Sequence, residues 1–162
     1  MSPGSGSNKD DPAAVKYLYA YARFNGRQTM KLRLLYRLKS NTTEVSQFGD
    51  THDGPRADVY LEGEVKGRVN GKFHGVDYGL SRGLKNPGTV VLHVHETIVT
   101  DDGPISVMRR GYAVPEGASF HVKATCLFQT ASRKFDFLNG TIGVAEGYAD
   151  GKGVQLSVFE VV

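Results

Sequence analysis

The chain contains no tryptophan, a single cysteine and no apolar run approaching the ~20 residues needed to cross a bilayer as a helix. With Cys126 alone, no disulfide can form within the chain, and a reducing, cytoplasmic setting is expected. Cys126 lies in an apolar strand pattern and reads as a small core residue rather than a nucleophile. Charge is weak in either direction: twenty Lys and Arg against seventeen Asp and Glu leave +3, scattered along the chain. That balance argues against a nucleic-acid partner, and no membrane partner is expected. A Gly-Lys-Ser phosphate loop, a dinucleotide fingerprint and a Gly-x-Ser-x-Gly elbow are all missing, which sets aside nucleotide and serine-hydrolase chemistry. The expectation is a protein with no cofactor.

Glycine is what the sequence has in quantity. Twenty glycines in 162 residues recur between apolar stretches with two-residue alternation, the signature of strands and tight turns. The length is that of one domain. Residues 1–14 read as a flexible leader and 15–162 as the domain. Tyr17 to Phe24, Asn25-Gly26 and Thr29 to Leu38 read as a hairpin, because Asn-Gly supplies the backbone of a type I′ turn. In its second arm Met30, Leu32, Leu34, Tyr36 and Leu38 share one face.

Ser40 to Asp58 is polar and carries Gly49, Gly54 and Pro55, and is expected to be a long loop. Strand patterns resume at Val59 to Val65, Lys66 to Val69, Thr89 to Thr100, Ile105 to Val114, Phe120 to Gln129, Phe135 to Ala145 and Val154 to Val161. Asp101-Asp102-Gly103 and Asp150-Gly151-Lys152-Gly153 supply turns. Without helices to cover a parallel sheet, these strands predict an all-β, antiparallel up-and-down, calycin-like β-barrel with a central cavity. A two-sheet sandwich is the alternative.

Several polar residues stand out. Alternation places His93, His95 and Thr97 on the strand face opposite Val90, Leu92, Val94 and Ile98, either as general acid or base groups or as plain surface histidines. Arg109 and Arg110 must point to opposite sides of their strand, and the inward one needs a carboxylate or a ligand oxygen as partner. Asp77 sits in a Gly-rich stretch beside Tyr78. It is either a turn-capping residue or a buried acid of raised pKa. Asn139 either fixes a ligand oxygen or closes the turn before Gly140.

Tyr60, Glu62 and Glu64 form a stripe opposite Val59, Leu61 and Val65. Tyr17, Tyr19 and Tyr21, with Phe120 and Phe128, either line an aromatic pocket or pack the core. HVHE at His93 to Glu96 and PEGASFH at Pro115 to His121 are similar to the two cupin motifs in order, but their spacing departs from that pattern, so no metal is expected.

The segments TVVLHVHETIVTDDGPISVMRRG (Thr89 to Gly111), FQTASRKFDFLNGTIGVAEG (Phe128 to Gly147) and the closing GVQLSVFEV resemble an uncharacterised family of small barrel proteins, domain of unknown function 3237. Phe137 stands where that family usually has tryptophan, and GVDYG at Gly75 to Gly79 matches its Gly-Gly-Ala-Asp turn only loosely. The resemblance implies a closed barrel with a cavity and makes Arg110, by the Arg-Gly ending, the inward arginine. It also implies an activity like that of members that close an oxygen heterocycle without a cofactor in polyketide secondary metabolism. The expected function is therefore a cyclase or isomerase of aromatic or polyketide-like small molecules, with Asp77, His95 and Arg110 catalytic. Tyr60, Glu62, His93, Tyr112, Phe128, Phe137 and Asn139 are expected to bind substrate. A non-catalytic binding barrel and a cupin-like metalloenzyme are the competing functions, and a homodimer is open.

Overall fold

A computed structural model describes residues 23–24, 27–28, 30–81 and 88–162. Strands β1 (Arg23–Phe24) and β2 (Arg27–Gln28) pair with each other as a small ribbon. This ribbon flanks the expected Asn-Gly turn, but β2 does not run on to Leu38. Residues from Leu32 onward belong instead to the barrel. The proposed leader and Tyr17, Tyr19 and Tyr21 lie outside the described residues.

The barrel strands are β3 (Leu32–Thr51), β4 (Gly54–Gly67), β5 (Gly71–Ser81), β6 (Val90–Thr100), β7 (Gly103–Glu116), β8 (Ser119–Thr130), β9 (Ile142–Asp150) and β10 (Gly153–Val161). Each pairs antiparallel with the next, and β10 returns to pair with β3, so the sheet closes into the expected antiparallel up-and-down barrel, with eight strands. Closure removes the exposed edges that a flat meander would carry. Both Gly-containing turns form where the sequence places them. Gly103 takes φ +116 after Asp101-Asp102, a conformation that L side chains avoid. Among the described residues no helix is long and apolar enough to cross a membrane.

Three local expectations are corrected. Ser40 to Asp58 is not a loop: β3 and β4 continue as a projecting hairpin that turns at residues 52 and 53. Its far half is wet on both faces, with Val45 and Phe48 exposed, so no apolar alternation marks it. Gly71–Ser81, with its Gly-rich GVDYG stretch, is strand β5, and β4 ends at Gly67. Glycines occupy inward positions of β5, so the apolar half of its alternation is missing. An alanine at Gly75 would put its Cβ 2.7 Å from Glu96 Cγ, so the glycine makes room for a buried side chain.

Finally, Phe135 to Ala145 is not one strand. Arg133–Gly140 is a 3-10 helix that buries Phe135 and Leu138 at one end of the barrel, and β9 begins only at Ile142. Asn139 sets this break, because its side chain accepts from the Thr130 N–H (2.9 Å) and donates to the Thr130 carbonyl (2.9 Å).

The middle of the barrel is filled rather than hollow. Leu61, Phe73, Val94, Ile98, Ile105, Val107, Phe128 and Val158 pack into one continuous core, with Leu35, Val69, Phe135 and Leu138 at the end capped by the 3-10 helix. Eight strands enclose a space about as wide as the side chains that point into it, so large residues on alternate positions occupy the axis. The concavity that remains on the inward face is at the other end.

Candidate active site

The register fixes which side chains share the interior. One inward row crosses Val59, Asp77, Val94, Arg109, Cys126 and Gly143 on successive strands β4 to β9. Arg109, 2% exposed, forms an ion pair with the buried Glu96 carboxylate on β6. The sequence expectation for this strand is therefore reversed: Arg109 is the inward arginine and Arg110 lies exposed on the outside. Alternation demanded one of each, but the two choices look alike until the cross-strand partner is known. The signal available was Glu96, the single acid among the inward positions of β6.

Asp77 lies at the mouth end of this row. Between its pairing with Val94 and the pairing of Leu80 with Val91, the β5–β6 ladder opens. The freed N–H of His93 donates to Asp77 Oδ1 at 3.0 Å. Oδ2 lies on the Gly79 side, 3.9 Å from where a Cβ at that glycine would stand. Both residues line a recess of about 320 Å³ at the barrel mouth, with Ala57, Val59, Ser81 and Val90. Burial pushes the Asp77 carboxyl above its ordinary range, against the pull of the His93 N–H and Arg109.

Glu96 is likewise raised by burial, with Arg109 opposing. Burial alone would depress Arg109, but Glu96, Cys126, Tyr36 and Asp77 outweigh it and keep the guanidinium charged. The phenol of Tyr36 is held neutral by complete burial. Cys126 is a core residue whose thiol burial pushes up to about 12, as expected of a packing residue.

A carboxyl raised in the folded chain binds its proton more tightly there than when unfolded, so protonation favours folding. Asp77's contribution is then most favourable below the ordinary carboxylate range near pH ~4 and is lost as pH rises through the folded midpoint. Asp77→Asn keeps an oxygen for the His93 N–H and removes the ionisation. Its melting temperature should rise relative to the wild type at pH 8 and gain little at pH 4; an equal difference at both would contradict this.

Of the remaining expected residues, the histidines, Arg110 and the acidic stripe face outward. His95 and His93 place their Nε2 atoms 3.2 Å apart, and an Arg110 Nη2–H points at His93 Nε2 from 3.2 Å. Tyr78 packs edge-on to both imidazoles, at 6.1 and 6.0 Å between centroids. Partial burial, then Arg110 and His95, holds the His93 imidazole below its usual range. Tyr60, Glu62, His74, His95, Thr97 and Ser106 line an open groove of about 600 Å³ on the same outer wall.

Asp77 thus projects to the opposite side of the sheet from His95 and Arg110, and the expected trio does not converge. Tyr112 is exposed on the outside, Phe128 is sealed in the core, and Phe137 sits on the 3-10 helix under the Arg68 guanidinium at 5.0 Å. Asn139 holds the chain turn and reaches no interior surface. His121 pairs with Glu146 on the outer wall at 3.0 Å, and among the described residues no three His, Cys, Asp or Glu side chains converge as metal ligands. The cupin-like spacing therefore assembles no donor set.

No family model and no curated protein matches the chain. Solved structures with the same fold are found. A β-barrel-like protein of Acinetobacter baumannii is 22% identical, with a TM-score of 0.75 over 86% of this chain and 100% of its own. A conserved protein of unknown function from Rhodopseudomonas palustris is 19% identical, with a TM-score of 0.72 over 84% of this chain and 100% of its own. An enzyme from Penicillium herquei is 17% identical, with a TM-score of 0.60 over 86% of this chain and 100% of its own. At these identities the likeness establishes the closed barrel and leaves chemistry to the residues.

Proposed function

We propose that this protein is a cofactor-independent cyclase or isomerase, of the domain 3237 family, that closes an oxygen heterocycle on an aromatic or polyketide-like molecule held at the barrel mouth. The observation that carries the reading is Asp77. It is a carboxyl raised by burial, anchored through Oδ1 and open through the Oδ2 side to a recess of small-molecule size. An enzyme among proteins of the same fold is consistent with it. A free Cys126 thiol supports a cytoplasmic setting.

The step needs no outside reagent. Asp77 gives its proton to one carbon of a substrate alkene, the other carbon accepts the oxygen of a substrate hydroxyl, and the hydroxyl proton returns to the carboxylate. One O–H and one C=C π bond are exchanged for one C–H and one C–O bond. The raised carboxyl keeps a larger protonated fraction at neutral pH, and the recess holds the chain of the substrate folded on itself.

Incubation of 2-prenylphenol with the protein in D2O tests this. The expected product is 2,2-dimethylchroman carrying one deuterium on carbon, formed at least 100-fold more slowly by Asp77→Asn, the range of general acid catalysis. Formation at the wild-type rate by Asp77→Asn would sink the assignment. Recovery of 2-prenylphenol unchanged from the wild type would favour the non-catalytic binding barrel.

A further inference from the structure

One nitrogen on the outer wall faces more donors than it can accept. Arg110 Nη2 and His95 Nε2 each lie 3.2 Å from His93 Nε2. An imidazole nitrogen offers one lone pair at most, so it cannot take an N–H from both, and once protonated it meets the guanidinium donor to donor. No carboxylate relieves the cluster: among the described residues, none of the ion pairs includes Arg110, His93 or His95. A carboxylate from outside, with lone pairs for several donors, can accept from all three side chains.

Hydrocarbon begins where this cluster ends. The ladder sets His95, Met108, Leu127 and Ile142 side by side on successive strands β6 to β9, all on the outer face. Leu127 is 53% exposed and Ile142 56%, so two aliphatic side chains stand in water as neighbours rather than scattered singly. With Met108 they make a stripe about 10 Å long from β7 to β9 at the usual strand spacing. At the His95 end, Met108 and Leu127 wall a hollow of about 470 Å³ together with Ser106, Gln129 and Asn139.

We infer that this outer wall is a second ligand site, separate from the mouth recess, and that it takes an amphiphilic carboxylate. The anionic head sits on Arg110, His93 and His95, and the hydrocarbon tail lies along Met108, Leu127 and Ile142. Neither half suffices alone. A bare anion on an exposed cluster is held weakly against water and salt, and an uncharged hydrocarbon leaves the crowded donors unsatisfied. The site and Asp77 occupy opposite faces of the sheet and meet only through the backbone of His93, whose N–H goes to Asp77. Binding here therefore stands or falls apart from chemistry at the mouth.

Histidine-ring NMR on the intact protein, titrated with octanoate, tests this, with acetate as the tail-less control and octanol as the uncharged one. Octanoate should shift the Nε2 resonances of both His93 and His95 and bind at least about tenfold more tightly than acetate, because each fully buried methylene multiplies affinity about fourfold. Octanol should bind at least about tenfold more weakly than octanoate, and Arg110→Gln should weaken octanoate by a similar factor, since both remove a charge-assisted hydrogen bond. Leu127→Ser should weaken octanoate about tenfold and leave acetate unchanged. Both side chains are exposed, so neither substitution endangers the fold.

Octanoate bound no more tightly than acetate, or undiminished by Leu127→Ser, would overturn the inference by leaving the tail no place on the wall. No movement of either imidazole at millimolar octanoate would overturn it as well. In that event, a shift of both imidazoles by zinc ions alone would reassign the histidine pair to a metal, and a dimer split by Leu127→Ser in analytical ultracentrifugation would give the stripe to a second copy of the chain.

Discussion

Replacing Arg109 by alanine should remove about 3–5 kcal/mol of folding stability, because it strands a carboxylate in a core where charge cannot be solvated. Urea denaturation followed by circular dichroism gives the number, with the slope of the transition checking that the unfolded state is unchanged. Glu96, already raised by burial, can take up a proton and soften the loss. Glu96→Ala leaves a guanidinium that has no such recourse, so it should cost at least as much. Replacing both with methionine should cost less than either single change, since removing a buried pair together also removes its desolvation penalty. If Arg109→Ala loses less than about 1 kcal/mol, water reaches the pair and the interior is wetter than its packing implies.

The second large effect is at the capped end. Leu138→Ala should cost about 2–5 kcal/mol, because Leu138 is fully buried and backed by the strand ends, which cannot collapse onto a missing side chain without disturbing the barrel. For a chain of this size that corresponds to a fall in melting temperature of roughly 5–15 °C. Because the cap is remote from Asp77, conversion of 2-prenylphenol below the lowered melting temperature should persist. Phe137→Ala, exposed on the same helix, should cost well under half as much. Equal losses for the two would mean that the helix does not cap the core as its burial pattern indicates.

These two sites also mark where the sequence could and could not be read. The strand pattern of β6 is plain in Val90 to Thr100, where Leu92, Val94 and Ile98 alternate with His93, His95 and Thr97, and both glycine turns formed where the sequence places them, Gly103 with φ above zero. Alternation failed at β5 and in the far halves of β3 and β4. In β5 glycines hold inward positions, and in the projecting hairpin neither face meets a core. Around Arg133 to Gly140 the aromatic spacing of Phe135 and Phe137 imitates a strand, while Asn139, bonded back to Thr130, breaks the extended run.

The chemistry divides in the same way. Asp77 was visible as a short acid among glycines, and its buried, raised state agrees with one of its two sequence readings. The choice between Arg109 and Arg110 was not visible, since a one-residue shift exchanges the faces of a strand and only the position of Glu96 across the ladder decides it. His93, His95 and Arg110 do gather, but on the outer wall, away from Asp77.

The order of residues by itself determined that this chain forms antiparallel strands joined by glycine turns, because backbone conformational freedom and the two-residue repeat are local properties. Closure of the sheet decided what lies inside. Eight strands leave only enough width for their own side chains, so the interior filled, the recess moved to the mouth, and a buried arginine kept donors that no neighbour among the described residues satisfies.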